Sequence, residues 1–423
     1  MQNYQNLKYF FLIFFILSYI IGFFLRENIA GGAEQDFLSF TWPAILSFKN
    51  DFYFSIKNYG SFGEGSLPLF HIINAYLNPF TFDQFAFQGS ITLISLLNVI
   101  IFSQIIEKKF KLKKIDALLY ASIFLILPFF RSSAFWGITE NFGWLFLLIS
   151  IKYYNYYNEN KNQRKFSTIF LICLFSSLAL YVRPYLIFFP IFLILNSVFN
   201  KDYNYLKPSI ILYLVFSIPG FILIYLWEGV LKLGNDEINL VKDYHNPKFI
   251  SKNLIIFSSL FLFYLTPFEY FKNNFLTKKK IIFIFSIFLI LLILNYFEIF
   301  NYLNTWYFGG GVILKFNKIL FEENLIFFLF YSSFGIFLIF KYLSISIKNR
   351  LLFLSLLIFC FPAYILQEYF EPLFLIVFFT LFDLEKNKFE TFKKNKTIFI
   401  FCIYFSIYYF GSLYYRYNIN PIS

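Results

Sequence analysis

Apolar runs close to twenty residues long recur along this chain, from 10–25 near its start to 397–415 near its end. A helix of that length crosses ~30 Å of hydrocarbon. Only 14% of the 423 residues are charged and 59% are hydrophobic, whereas a soluble domain carries about 25% charged residues. The expected fold is therefore an all-α polytopic membrane protein. The 69 Phe and 33 Tyr, with abundant Ile, Lys and Asn, reflect a compositional bias and carry little chemical information.

Counting the runs gives about thirteen spans, at 9–25, 86–106, 115–130, 134–151, 167–182, 184–200, 208–228, 251–270, 281–298, 325–343, 351–367, 371–384 and 397–415. The first reads as a retained anchor rather than a cleaved signal, because it is long for a signal core and charges follow it at once. No internal repeat, flexible linker or separate soluble domain interrupts the chain, so 1–423 reads as a single membrane domain.

The formal charge is +12. With the N-terminus placed in the cytoplasm, the short segments 107–114, 152–165, 201–207, 272–280, 341–350 and 385–396 all lie inside and all are basic. The positive-inside rule explains the charge without any nucleic-acid partner. Three longer loops then fall outside: 26–85, 229–250 and 299–324. Most acids and both histidines, His71 and His245, lie on that face, so any chemistry is expected there, at the outer face of a plasma membrane. Cys173, Cys360 and Cys402 fall in apolar runs and read as inert.

The first outer loop has helical periodicity. From Gln35 to Phe48 apolar residues recur with a helix-like spacing and Pro43 is expected to kink the segment. Gly31 and Gly32 permit a sharp exit from the first span. A second helix is expected over 66–77, capped by Ser66, with His71, Asn74 and Asn78 on one face. Glu34 and Asp36 stand where the first of these two interfacial helices begins. Acids there also interact well with the helix dipole, which is the plainer explanation of them.

A long first outer loop that opens on "GGAEQDF" and closes on "GSLPLFHIINAYLNP", in a chain of about thirteen spans, resembles the GT-C superfamily of membrane glycosyltransferases. "FWGITENFGWLF" with Glu140, "LYVRPYLIFFP" with Arg183, and "LQEYFEPLFLIV" with Glu368 and Glu371 are similar in order to later segments of that family. Its dolichyl-phosphate-sugar and aminoarabinose transferase branches are equally near. The resemblance implies inverting transfer of a sugar from a polyprenyl-phosphate donor to a lipid-linked, glycan or protein acceptor at the outer face.

Phosphate leaves without a proton, so such a transfer needs one base on the acceptor and positive charge near the phosphate. The family position makes Asp36 the base. Glu34 would orient the acceptor or share the base role; residues two apart share a face in an extended segment and point apart on a helix, and the sequence leaves both open. The spacing here is Glu-x-Asp rather than an adjacent pair. For the phosphate the candidates are Arg183, Arg131, Lys57 and His71, with Glu140, His245, Glu368 and Glu371 as further substrate contacts. Arg131 and Arg183 have a plainer role as headgroup anchors. No metal or other cofactor is required, although an Asp, a Glu and a His gathered by folding would suffice for a divalent cation. The rival functions are an envelope-polysaccharide polymerase or ligase, whose large outer loop usually comes late, and a transporter or flippase, which needs charged groups at mid-membrane depth.

Overall fold

Inside hydrocarbon each backbone N–H and C=O must be satisfied within the segment, and the apolar runs accordingly form helices. A computed structural model describes residues 2–62, 66–160, 165–227, 249–269, 277–297, 311–322, 324–362 and 365–419. Among these residues the architecture is helical, with no β-strand. Seven helices are long and apolar enough to cross a bilayer, or eight if the bent pair Lys114–Ile126 and Pro128–Trp136 counts as one span. The chain is a multi-pass helical membrane protein. It divides into two compact units, one of residues 1–241 with 402–423 and the other of residues 242–401.

In the first unit, α1 (Gln2–Phe24) and α6 (Gln84–Phe110) pack against α7 (Lys114–Ser122) and α8 (Pro128–Trp136). The chain bends by 70° between Lys114–Ile126 and Pro128–Trp136. Proline is tolerated at the first turn of α8 because its missing N–H would be unsatisfied there anyway. Two buried ion pairs fasten α1 to this bent pair. Lys8 Nζ meets Asp116 Oδ1 at 2.5 Å. At the other end Arg131, from the middle of α8, forms a two-pronged contact with Glu27 through Nε and Nη2, each at 2.6 Å. Arg131 Nη1 also donates to Ser18 Oγ and Leu125 O, and Nη2 to Ser18 O. All five guanidinium N–H groups thus have acceptors inside the protein.

Glu27 folds back so that its N–H bonds Gly22 O at 2.9 Å. A Cβ on Gly22 would lie 2.2 Å from Arg131 Nη2 and 2.8 Å from Glu27 Oε2. About 21 Å of helix separates Lys8 from Gly22 at 1.5 Å per residue, so the two ion pairs hold α1 near its opposite ends. Tyr409, from the last helix Asn395–Tyr414, completes the cluster: its hydroxyl donates to Glu27 Oε2 at 3.1 Å and its ring faces the guanidinium at 4.6 Å.

The expected link at Arg131 is therefore corrected. The residue is not a headgroup anchor between two spans but a wholly buried member of a nine-residue helix. The next helix is α9 (Glu140–Glu159), six residues later than the expected span. The expected span begins too early because Gly137, at φ 69, ends α8, and the next helix starts only at Glu140.

In the second unit the helices Ile250–Glu269 and Ile326–Leu343 approach closely: a Cβ on Gly335 would fall 2.0 Å from the carbonyl oxygen of Ser258. Small residues allow such contact between membrane helices. Glu269 is buried and pairs with Lys341 and with the Tyr342 hydroxyl at 2.7 Å. The apolar run at 371–384 yields a helix only from Leu373 to Thr380, with every residue buried. It is about 12 Å long.

Glu27→Gln should be the most damaging conservative change in the first unit, because it leaves a buried arginine without its counter-charge, at about 3–5 kcal/mol. Gly22→Ala should cost about 1–3 kcal/mol through overpacking. Thermal unfolding of the purified protein in detergent measures both, and a native melting temperature for Glu27→Gln would show that the pair is dispensable.

Candidate functional site

The chain leaves α1 with Arg26 at φ 51 and Gly31 at φ 92. Gly31 uses the left-handed region open to glycine, whereas Gly32 has an ordinary φ of −97. The Ala30 N–H donates to Ser132 Oγ of α8 at 3.1 Å, and α2 (Ala33–Asp36) begins against the same helix. Glu34 is exposed and Asp36 is half-buried. The segment is helical, not extended, so residues two apart point in different directions. The choice between a helical and an extended segment, which the sequence leaves open, falls to the helix, and Glu34 and Asp36 do not share a face.

A π-helical turn, Phe37–Thr41, follows α2 and leads into α3 (Trp42–Asn50), with Pro43 in its first turn. Proline has no N–H to complete an α-helical ladder, and the wider turn just before it accommodates the loss. The expected kink is thus taken up as a π turn. Beyond the turn, Ala44, Ile45 and Phe48 are fully buried, so this face is the one that anchors the segment.

Next come α4 (Phe52–Lys57), capped by Asp51 through the Phe54 N–H at 2.9 Å, and α5 (Leu69–Leu77). Lys57 ends α4 exposed. Helix α5 starts three residues later than expected and Pro68, not Ser66, precedes it, with no side-chain cap. Ser66 Oγ instead lies 3.3 Å from the Tyr59 hydroxyl. Tyr59 also bonds His71 Nδ1 at 3.0 Å and stacks on Trp227 at 5.9 Å. The shared face expected for His71, Asn74 and Asn78 is directed inward: His71 and Asn74 are buried, and Asn78 donates to Asn74 Oδ1 and Ser90 Oγ. Tyr76 and Leu77 are exposed instead. The polar face of this helix thus points into the protein, where Phe70 and Ala75 are buried beside it.

Glu140 opens α9 and forms an ion pair with Arg183. Arg183 owes its position to Pro184. The residue before a proline disfavours the α region, so α10 (Phe166–Val182) stops and Arg183 is extended at φ −135, ψ 106. Its stem passes over Gly143, where a Cβ would lie 3.3 Å from Arg183 Cγ. Gly143 is three residues from Glu140, on the same helical face. The pair is largely buried, with side-chain exposures of 17% for Arg183 and 7% for Glu140. Ser133 Oγ lies 3.4 Å from Glu140 Oε2.

Adjacent serines of α8 therefore hold two parts of the candidate site. Ser132 fixes the entry to α2, and Ser133 contacts the Glu140–Arg183 pair. Arg131, directly before them, has its donors engaged within the protein and contributes structure. Glu27 and Tyr409 were missed as its partners. Glu27 did leave a signal, being a carboxylate two residues beyond the end of an apolar run, where acids are costly unless paired.

In the second unit Glu371 is buried and accepts from the Tyr264 hydroxyl at 2.6 Å, and Gln367 Nε2 donates to that hydroxyl at 2.8 Å. Glu368 is half-buried beside them in the chain. His245 lies outside the described residues. Among the described residues, no group of three His, Cys, Asp or Glu side chains is placed to hold a metal ion.

Fold and site together define a multi-pass helical membrane protein with a charged, largely buried corner at one end of α8 and α9. Residues 65–246 match a domain of unknown function, DUF6311. This stretch includes His71, Arg131, Glu140 and Arg183 but not Glu34 or Asp36. No curated protein and no solved structure matches the chain.

Arg183→Ala and Glu140→Ala should each destabilise the protein by about 3 kcal/mol or more, since each strands a buried charge. The double variant should lose less than the sum of the two singles. Strict additivity in detergent melts would show that the two residues do not interact.

Proposed function

We propose that the protein transfers a glycosyl group from a polyprenyl-phosphate donor to an acceptor hydroxyl at the outer membrane face. The observation that carries this reading is the placement of the α2 entry and the Glu140–Arg183 pair on neighbouring serines of α8. An accessible carboxylate and a partly exposed guanidinium are the two functions such a transfer needs.

Asp36 is the base in this proposal. It is half-buried against the protein, so it is reachable yet held. It takes the acceptor proton as the hydroxyl oxygen attacks the anomeric carbon. The bond from that carbon to the phosphate oxygen breaks, and the phosphate departs with the electron pair. Arg183 stabilises the charge that develops on the leaving oxygen. Glu34, on the solvent side, is left to the approach of the acceptor. Arg131 is excluded from phosphate binding by its engaged donors, and it keeps α8 in place. The thirteen-span topology with an outward-facing site belongs to the same proposal. Seven helices are long enough to span, the bent pair makes an eighth, and the shorter apolar helices Phe166–Val182 and Pro184–Phe199 are further candidates, so the remaining expected spans rest on the sequence pattern alone.

The test uses the full chain in liposomes with radiolabelled polyprenyl-phosphate sugars and a membrane extract as acceptor. Asp36→Asn should lower transfer by about 10²–10⁴-fold, the usual contribution of a positioned general base. Glu34→Gln should change it by only a few-fold. Transfer at the native rate by Asp36→Asn would overturn the assignment.

A further inference from the structure

A polar cavity of about 590 Å³ opens in the first unit where the ends of α9 and of α11 (Phe188–Phe199) meet the start of α12 (Tyr203–Leu226). Small-molecule sites commonly occupy ~300–1,000 Å³. From Glu140 to Tyr154 the α9 helix runs about 21 Å at 1.5 Å per residue. The cavity is thus at the far end of α9 from the Glu140–Arg183 corner, and the glycosyl-transfer proposal makes no use of it. The basic segment 201–207 forms part of its rim, which the charge distribution assigns to the cytoplasmic side.

The walls of the cavity are preformed. Asn196 Nδ2 donates to the Tyr154 hydroxyl at 3.0 Å, and Asn200 Nδ2 donates to Asn196 Oδ1 at 3.0 Å. The turn that joins α11 to α12 is closed by Lys201 N–H to Val198 O and Asp202 N–H to Ser197 O. Asp202 caps α12 by accepting from the Tyr205 N–H, and it lies 3.5 Å from the Tyr157 hydroxyl. Its carboxylate is therefore committed to the fold.

The chemistry of the lining selects the ligand. Lys201 and Asp202 are the charged residues of its lining and are opposite in sign, so the lining carries no surplus of charge to select a phosphate or carboxylate. Its remaining polar groups are mostly carboxamides and phenols. Asn158 and Asn204 stand at the rim beside Asn200. A carboxamide donates and accepts at once, as a hydroxyl does, and a tyrosine adds a flat apolar face next to its polar tip. That combination suits a ring or chain of neutral hydroxyl groups.

We propose that this cavity binds a neutral polyhydroxylated group, a glycosyl or polyol unit, independently of the transfer site. Such a group reaches the cavity either as the head of a glycolipid in the adjacent leaflet or as a free saccharide.

The full chain, purified in a polyoxyethylene detergent that itself carries no sugar, is offered monoglucosyl-diacylglycerol, phosphatidylglycerol and free maltose in parallel, and native mass spectrometry scores what is retained. The expected result is retention of the glucosyl lipid or of maltose over phosphatidylglycerol. Replacing Asn200 and Asn204 together by alanine should weaken it about tenfold, the effect of one or two lost hydrogen bonds. Retention of the glucosyl lipid alone identifies the lipid source, and retention of maltose the soluble one. Asn200→Trp, which fills the cavity from its exposed rim, should abolish binding and serves if the double variant does not fold. Preference for phosphatidylglycerol, absence of binding by either sugar, or sugar binding that is unchanged in the folded variants would each overturn the proposal.

Discussion

A guanidinium buried among apolar helices is the constraint on which the first unit depends. Removing Arg131 from water is costly, and the cost is offset only if every donor finds an acceptor in good geometry. That requirement fixes three separate pieces of chain at once: the carbonyl and hydroxyl of Ser18 on α1, the refolded Glu27 beyond α1, and Tyr409 on the last helix. It also dictates a glycine at position 22, because no larger side chain fits between the two charged groups. The serines that follow Arg131 on α8 then have defined positions, and they hold the α2 entry and the Glu140–Arg183 pair.

The loop that follows α1 shows the same logic with the usual polarity reversed. In α5 the polar residues His71, Asn74 and Asn78 bond to one another or to neighbouring helices, while Tyr76 and Leu77 face outward. In water this arrangement would waste apolar surface. Beside hydrocarbon it satisfies both faces, because the interior then supplies the hydrogen bonds that lipid cannot. The polar face of a helix in such a chain marks its inside, so periodicity alone gives the faces but not their direction.

Much of the fold was legible in the sequence because length and apolarity dictate helices in a membrane. Each long apolar run does carry helix, and Gly31 makes the turn expected of it. What escaped notice depended on tertiary partners. Arg131 looked like a loop residue because an arginine inside an apolar run ordinarily marks an edge, and nothing local announces that Glu27 and Ser18 come to meet it. Ser66 looked like a cap because its position fits one, yet the Tyr59 hydroxyl is its partner. Arg183 was singled out by the resemblance, for its place after the fifth apolar run, and the proline that follows it explains its extended backbone. Its counter-charge Glu140, more than forty residues earlier, was singled out separately and never as its partner. Asp36 and Glu34 were located together, but whether they shared a face turned on a backbone choice that the residues themselves leave open.

The π turn at Phe37–Thr41 has a consequence for how this segment can change over time. One residue more per turn is equivalent to a single insertion in an α-helix, and an insertion rotates everything on one side of it by about 100° relative to the other. The turn thus uncouples two angular settings. Ala44, Ile45 and Phe48 stay locked in the core by their packing, while the bearing of Asp36 is set upstream of the slip. A lineage that lost or gained that one residue would re-aim the acid without repacking the protein beneath it.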